Sequence, residues 1–193
     1  TIPAYWRNAV AKFPNAPAAI YEGRTLSYAE LDDQIARLAG FLHDECKVRR
    51  GDRVAIALPN CLECLTFYWA TLHLGAIAAP VNIRLRDEEL RFVIRNIAPQ
   101  AIAVHHETPA PVLEAVDSYE ADGHTIGVHG AQAAIAYEDA VAHEHRASIA
   151  PDIVPSAPAV ILHTSGTTGE PKGAIMTHDT LHFNVRNAIL SHS

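Results

Sequence analysis

Several absences in this 193-residue sequence narrow its function first. No apolar run approaches the ~20 residues of a membrane-spanning helix, which excludes a span of that kind. The opening Thr1-Ile2-Pro3-Ala4 has neither the charged start nor the apolar stretch of a secretory signal. Only three cysteines are present, Cys46, Cys61 and Cys64. An odd number without regular spacing is no disulfide framework, so free thiols and a cytoplasmic, reducing setting are expected. Bases are scarce, 15 Lys and Arg against 22 Asp and Glu, for a net charge of −7. That balance argues against a nucleic-acid backbone as partner, because phosphate backbones require a basic face. Charge is too sparse (19%) and apolar content too high (49%) for a chain disordered throughout. There is no initiator methionine, and the residues from Asn184 onward stop inside a helical pattern, so both ends are expected to be cut points in a longer protein.

What is present predicts alternating strands and helices. Residues 18–28 read as a hairpin turning at Glu22-Gly23. Ser27 and Glu30 stand three apart as a capping box, and Leu31, Ile35, Leu38 and Leu42 recur behind them at helical spacing. The short apolar runs 53–58, 76–81 and 100–105 suit buried strands. Between them, helices are expected from Pro59-Asn60 to about Leu74, ending at Gly75, and over 87–96, stopping before Pro99. Strand, helix, strand, helix, strand predicts an α/β fold with a mostly parallel sheet flanked by helices. Beyond His106 the pattern weakens to a strand at 125–129 and a short helix at 137–143. Pro151, Pro155 and Pro158 then punctuate a linker-like stretch. Strands at 159–163 and 173–177 and a helix from about Asp179 close the chain. The organisation expected is thus a hairpin and helix in 1–50, a β-α-β region in 51–150, and a linker with a strand–loop–strand–helix unit in 151–193.

Between those last two strands lies Thr164-Ser165-Gly166-Thr167-Thr168-Gly169-Glu170-Pro171-Lys172-Gly173. Gly166 and Gly169 leave the backbone free to curl so that successive amides face one anion. The hydroxyls of Thr164, Ser165, Thr167 and Thr168 add donors, and Lys172 adds a flexible point charge. Phosphate oxygens are the natural ligand. The segment is not the P-loop of NTPases, where a Gly-Lys-Ser/Thr leads directly into a helix. Here Pro171 precedes the lysine, Gly173 follows it, and a strand comes next.

This segment resembles the phosphate loop of the adenylate-forming (AMP-binding) superfamily, which includes acyl-CoA synthetases, aryl-CoA ligases, luciferases and the adenylation domains of peptide synthetases. Three further stretches are similar to that family: Arg24-Thr-Leu-Ser-Tyr-Ala-Glu-Leu31, Gly51-Asp-Arg-Val-Ala-Ile-Ala-Leu-Pro-Asn60 and Leu74-Gly-Ala-Ile-Ala-Ala-Pro-Val-Asn82. The similarity covers most of 1–105 and 158–185. It implies activation of a carboxylic acid by Mg-ATP as an acyl-adenylate with release of pyrophosphate, then acyl transfer to coenzyme A. It also implies ATP-phosphate contacts by Thr164, Ser165, Gly166, Thr167, Thr168, Gly169 and Lys172, and a Mg2+ contact by one of two hydroxyls, Ser165 or Thr167. Pro80-Val81-Asn82 followed by Arg84-Leu85 and Glu88-Glu89-Leu90 resembles acyl- and aryl-CoA ligases more than amino-acid-activating domains, the runner-up.

The family's Tyr-Gly-x-Thr-Glu and Thr-Gly-Asp motifs and its small C-terminal domain with a catalytic lysine have no counterpart in these residues. The reading is therefore of the first part of a large N-terminal domain, inactive alone, with no catalytic residue of its own. A truncated, non-catalytic partner of a full-length homologue is the rival from another class, and a homo-oligomer stays open.

Other residues read more plainly. Cys61 and Cys64 look like core packing on one helix face, since a structural zinc needs four ligands. Among the twelve histidines, His105-His106 and His143-x-His145 are densest, and both pairs read as solvated side chains in weakly structured, exposed stretches without a carboxylate cluster. Thr177 reads as a helix cap, and His178 has no assignable role.

Overall fold

The computed structural model describes residues 1–117, 124–150, 152–164 and 171–191. A hairpin forms first after an N-terminal helix, α1 (Ile2–Lys12), which the sequence reading did not anticipate although Pro3 stands in its first turn. Strands β1 (Pro17–Tyr21) and β2 (Arg24–Ser27) pair antiparallel. Glu22 and Gly23 between them both take positive φ, 47° and 78°, as a two-residue turn matched to strand twist requires. Helix α2 (Tyr28–Asp44) starts on the expected capping box. Ser27 Oγ accepts from the Glu30 amide at 3.3 Å, and the Ser27 amide donates to Glu30 Oε2 at 2.8 Å.

The strand–helix alternation then runs as expected. It comprises β3 (Arg53–Ala57), α3 (Leu62–His73), β4 (Ile77–Pro80), α4 (Asp87–Ile97) and β5 (Ala101–His105). Gly75, at φ 68°, lets the chain leave α3. Helix α5 (Ala110–Asp117) and the two-residue strand β7 (Ile135–Ala136) are additions, too short to leave a periodic signature. Strand β6 (Thr125–Val128), helix α6 (Tyr137–Val141), strands β8 (Pro158–Thr164) and β9 (Lys172–Thr177), and helix α7 (His178–Ser191) complete the order.

Seven strands form one sheet in the order β7-β6-β5-β3-β4-β8-β9, parallel throughout except for β9, which runs antiparallel to β8 at the edge. Successive side chains of a strand point to opposite faces. Accordingly Val54 and Ile56 of β3 join Ala101 and Ala103 of β5 in one core with α2 and α3, whereas Ala55, Ala57, Ile102 and Val104 join α4 and α5 in the other. Such two-sided burial explains the continuous apolar runs. Among the described residues no helix is long and apolar enough to cross a membrane.

After α6 the chain crosses α2 as a strap. The Ala147 amide donates to Ala36 O at 2.9 Å, and the Ala150 amide to His73 O at 2.8 Å. Gly40 of α2 lies directly beneath it. A Cβ there would stand 2.0 Å from His145 O and 2.9 Å from its carbonyl carbon. Gly40→Ala should therefore lose stability by about 1–3 kcal/mol through overpacking, despite the ~1 kcal/mol that alanine gains over glycine within a helix. Chemical denaturation is the check; an unchanged or higher unfolding midpoint would refute the close approach.

Candidate functional site

The carboxyl ends of parallel strands are where open α/β sheets leave room for ligands. Here the ends of β3, β4 and β8 enclose a cavity of about 480 Å3. Asn60 follows β3, Asn82 and Arg84 follow β4, Glu107 follows β5, and His163 projects from β8. The Asn82 side chain accepts from the Arg84 amide at 3.1 Å, an Asx turn that folds this loop over the strand ends. Arg84 supplies the cation and Glu107 the anion of the lining.

The strand–loop–strand unit stands at the same edge. In the β8–β9 pairing, Thr164 lies opposite Lys172 and His163 opposite Gly173. The two described ends of the hydroxyl- and glycine-rich segment are thus held in register next to His163 of the cavity lining, with both Thr164 and Lys172 exposed. Ser165, Gly166, Thr167, Thr168 and Gly169 lie outside the described residues, and with them the two hydroxyls expected to reach Mg2+. The structure accounts for Gly173 through packing. A Cβ at that position would approach His163 Nε2 and Ile161 Cγ2 to 3.2 Å each.

His163 is the residue that sequence reasoning missed. Its Nε2 donates to Asn96 Oδ1 of α4 at 3.0 Å, while its buried Nδ1 has no partner among the described residues. Burial pushes the imidazole pKa below its ordinary value, which keeps the ring neutral at pH 7 and leaves Nδ1 as an acceptor. The only sequence signal was a polar residue closing an apolar strand just before the loop.

Other expectations hold in part. Cys61 and Cys64 pack against the core as expected, and Cys61 also caps α3, its Sγ accepting from the Cys64 amide at 3.3 Å. Burial pushes both the Cys46 and Cys61 thiols up to about 12 and raises that of Cys64, so all three free cysteines are poor thiolates. His105 is buried at the end of β5 with its ring 4.1 Å from that of His106, not solvated in a loose stretch. His143 and His145 both contact the Asp44 carboxylate, a partner the sequence did not place near them. Thr177 caps as expected, its Oγ1 accepting from the Thr180 amide at 3.2 Å. His178 is buried with both ring nitrogens unpartnered among the described residues. It lies at the opposite end of β9 from Lys172, roughly 20 Å along the strand, and so outside this site.

A profile described as AMP-binding enzyme matches residues 6–193. The chain belongs to the AMP-binding enzyme family. Among curated relatives, the chain is 30% identical over 194 residues to the oxalate–CoA ligase of Arabidopsis thaliana, covering 97% of this chain and 37% of the ligase. It is 34% identical over 176 residues to surfactin synthase subunit 3 of Bacillus subtilis, covering 90% of this chain and 13% of that protein. The inhibitor-bound N-terminal domain of FACL13 from Mycobacterium tuberculosis superposes with a TM-score of 0.79 at 26% identity, covering 94% of this chain and 45% of that one. The chain thus spans less than half the length of each of these relatives.

Proposed function

We propose that this chain is the phosphate-holding part of an ATP-dependent acyl- or aryl-CoA ligase. The observation that carries this reading is the register of Thr164 against Lys172 at the carboxyl edge of the sheet, beside the cavity lined by Arg84 and His163. Mg-ATP would supply the adenylyl group: a carboxylate oxygen of the acid attacks the α-phosphorus, and the bond to pyrophosphate breaks. The thiolate of coenzyme A then attacks the acyl carbonyl, and AMP leaves. The chain's own contribution is electrostatic. Lys172 and the hydroxyls of Thr164, Ser165, Thr167 and Thr168, with the amides at Gly166 and Gly169, would hold the phosphates and stabilise the negative charge that builds on the departing pyrophosphate. Ser165 or Thr167 is the proposed Mg2+ contact. The proposed substrate is a fatty or aryl acid and the proposed setting the cytoplasm, and the 193 residues alone are proposed not to turn over. The CoA-ligase relatives support this assignment. An amino-acid-adenylating domain is the alternative reading.

Hydrogen exchange tests the loop. Added pyrophosphate or Mg-ATP should slow exchange of the amides in 164–173 and leave α5 unaffected; equal exchange with and without ligand would refute the reading. Acid-dependent pyrophosphate exchange by the protein carrying its remaining domains, over fatty, aryl and amino acids, separates the two alternatives. Acyl-CoA formation by the 193-residue chain would show that it is not merely the phosphate-holding part.

A further inference from the structure

Away from the sheet edge, the C-terminal end of α2 and the strap after α6 bring together one carboxylate and three imidazoles. His143 Nε2 and His145 Nδ1 converge on Asp44 Oδ2, at 3.2 and 2.8 Å. His43 Nδ1 takes the other oxygen, Oδ1, at 2.7 Å. The ligating atoms of Asp44, His143 and His145 all lie within 4.8 Å of one another. We infer that Asp44, His143 and His145 form a binding site for a divalent late first-row transition ion of the Zn2+ class, which fastens the strap to α2.

The geometry favours this reading. Tetrahedral zinc with bonds of ~2.0–2.2 Å holds its ligand atoms roughly 3.3 Å apart. The Asp44–His145 and Asp44–His143 separations of 2.8 and 3.2 Å would widen by only about 0.5 and 0.1 Å, and the two imidazole nitrogens lie within 4.8 Å of each other. Two imidazoles and a carboxylate form the nitrogen-rich set that selects zinc over magnesium or calcium, which prefer oxygen. The remaining position is open to water. Side-chain exposures of 51% for His145 and 22% for His143 leave an entry path.

The donors are also held in place. Arg37 Nη1 donates to His143 O at 3.1 Å, the His143 ring meets Phe41 edge-on at 5.7 Å, and Gly40 admits the strap's close approach. His43 on Oδ1 is the outer hydrogen bond that orients the ligating carboxylate. The nearby cations point elsewhere. Lys47 Nζ donates to Asp44 O, and Arg49 Nη1 to His43 O at 2.7 Å, so among the described residues no Lys or Arg side chain pairs with the Asp44 carboxylate.

Calorimetric titration of the chelator-treated chain with ZnCl2 at pH 7.5 tests the inference. The expected result is a single site, a thermal midpoint raised by about 5–10 °C at a hundredfold excess over Kd, and visible Co2+ bands that Zn2+ removes. His145→Ala and Asp44→Asn should each weaken binding at least tenfold. Positioning by His43 should appear as a tenfold to hundredfold loss in His43→Ala. His106→Ala, in the other histidine cluster, should bind as the parent chain does, and Mg2+ should not compete. Because His145 is half exposed, His145→Ala should melt with the parent chain in chelator, separating lost ligation from lost folding. No zinc binding, binding unchanged in both His145→Ala and Asp44→Asn, or a site abolished by His106→Ala would each overturn the inference; the histidines would then be hydrogen-bond partners of Asp44 alone.

Discussion

Lys172→Ala is expected to weaken binding of pyrophosphate to this chain about tenfold to a hundredfold. A hydrogen bond from a charged donor contributes about 1.5–3 kcal/mol, and each ~1.4 kcal/mol is a factor of ten in affinity. Lys172 opens β9 opposite Thr164, is exposed, and pairs with no carboxylate among the described residues. Its ammonium is therefore available to an anion in the loop. Because the side chain is exposed and packs little, the substitution should leave thermal unfolding within about 0.5 kcal/mol of the parent, so a loss of affinity reads the loop and not the fold. Lys172→Arg should keep part of the affinity, since the charge stays while the compact ammonium becomes a planar fork. Titration at two salt concentrations gives a second readout: the parent should lose affinity at higher salt more steeply than Lys172→Ala. Equal affinities of parent and Lys172→Ala would remove this lysine from the phosphate site.

The largest effect on stability is expected at Phe67. This side chain is fully buried in α3, between α2 and the sheet, with its ring 5.8 Å from that of Tyr137. Truncation removes a large apolar contact and leaves a cavity that α2, α6 and β3 cannot close without moving. Phe67→Ala should cost about 3–5 kcal/mol, a large fraction of the 5–15 kcal/mol that holds a typical domain folded. At roughly 2–4 °C per kcal/mol for a chain of this size, the thermal midpoint should fall by about 6–20 °C. Phe67→Leu fills most of the volume and should cost under about 1.5 kcal/mol. Phe13, 59% exposed, is the control: Phe13→Ala should stay within about 0.5 kcal/mol. A Phe67→Ala midpoint matching that of Phe13→Ala would contradict the two-layered core.

Much of the fold was legible because local rules and tertiary packing agree. Gly23 of the hairpin turn, the Ser27–Glu30 box and the Gly75 exit each need a particular residue type at a particular backbone position, and the chain has it. Strands β3, β4 and β5 announced themselves as unbroken apolar runs, since helices cover both faces of the sheet. Where the signal is only a few residues long, as in β7 and α5, periodicity had nothing to act on, and pairing with β6 or packing on α4 made the element. The site divides in the same way. The hydroxyls, glycines and lysine of 164–173 advertise an anion from composition alone, whereas His163 acquires meaning only from Gly173 and Asn96 beside it.

The amino-acid sequence by itself determined the α/β class, the parallel core strands, the helix caps and the segment whose chemistry suits phosphate, because each depends on residues close together in the chain. Only the tertiary structure decided that β9 turns back antiparallel at the sheet edge, that Thr164 faces Lys172 beside a cavity, and that Asp44 meets histidines 99 and 101 residues away. Those pairings arise from chain closure and two-sided burial, which bring distant residues into contact without leaving any trace in their local spacing.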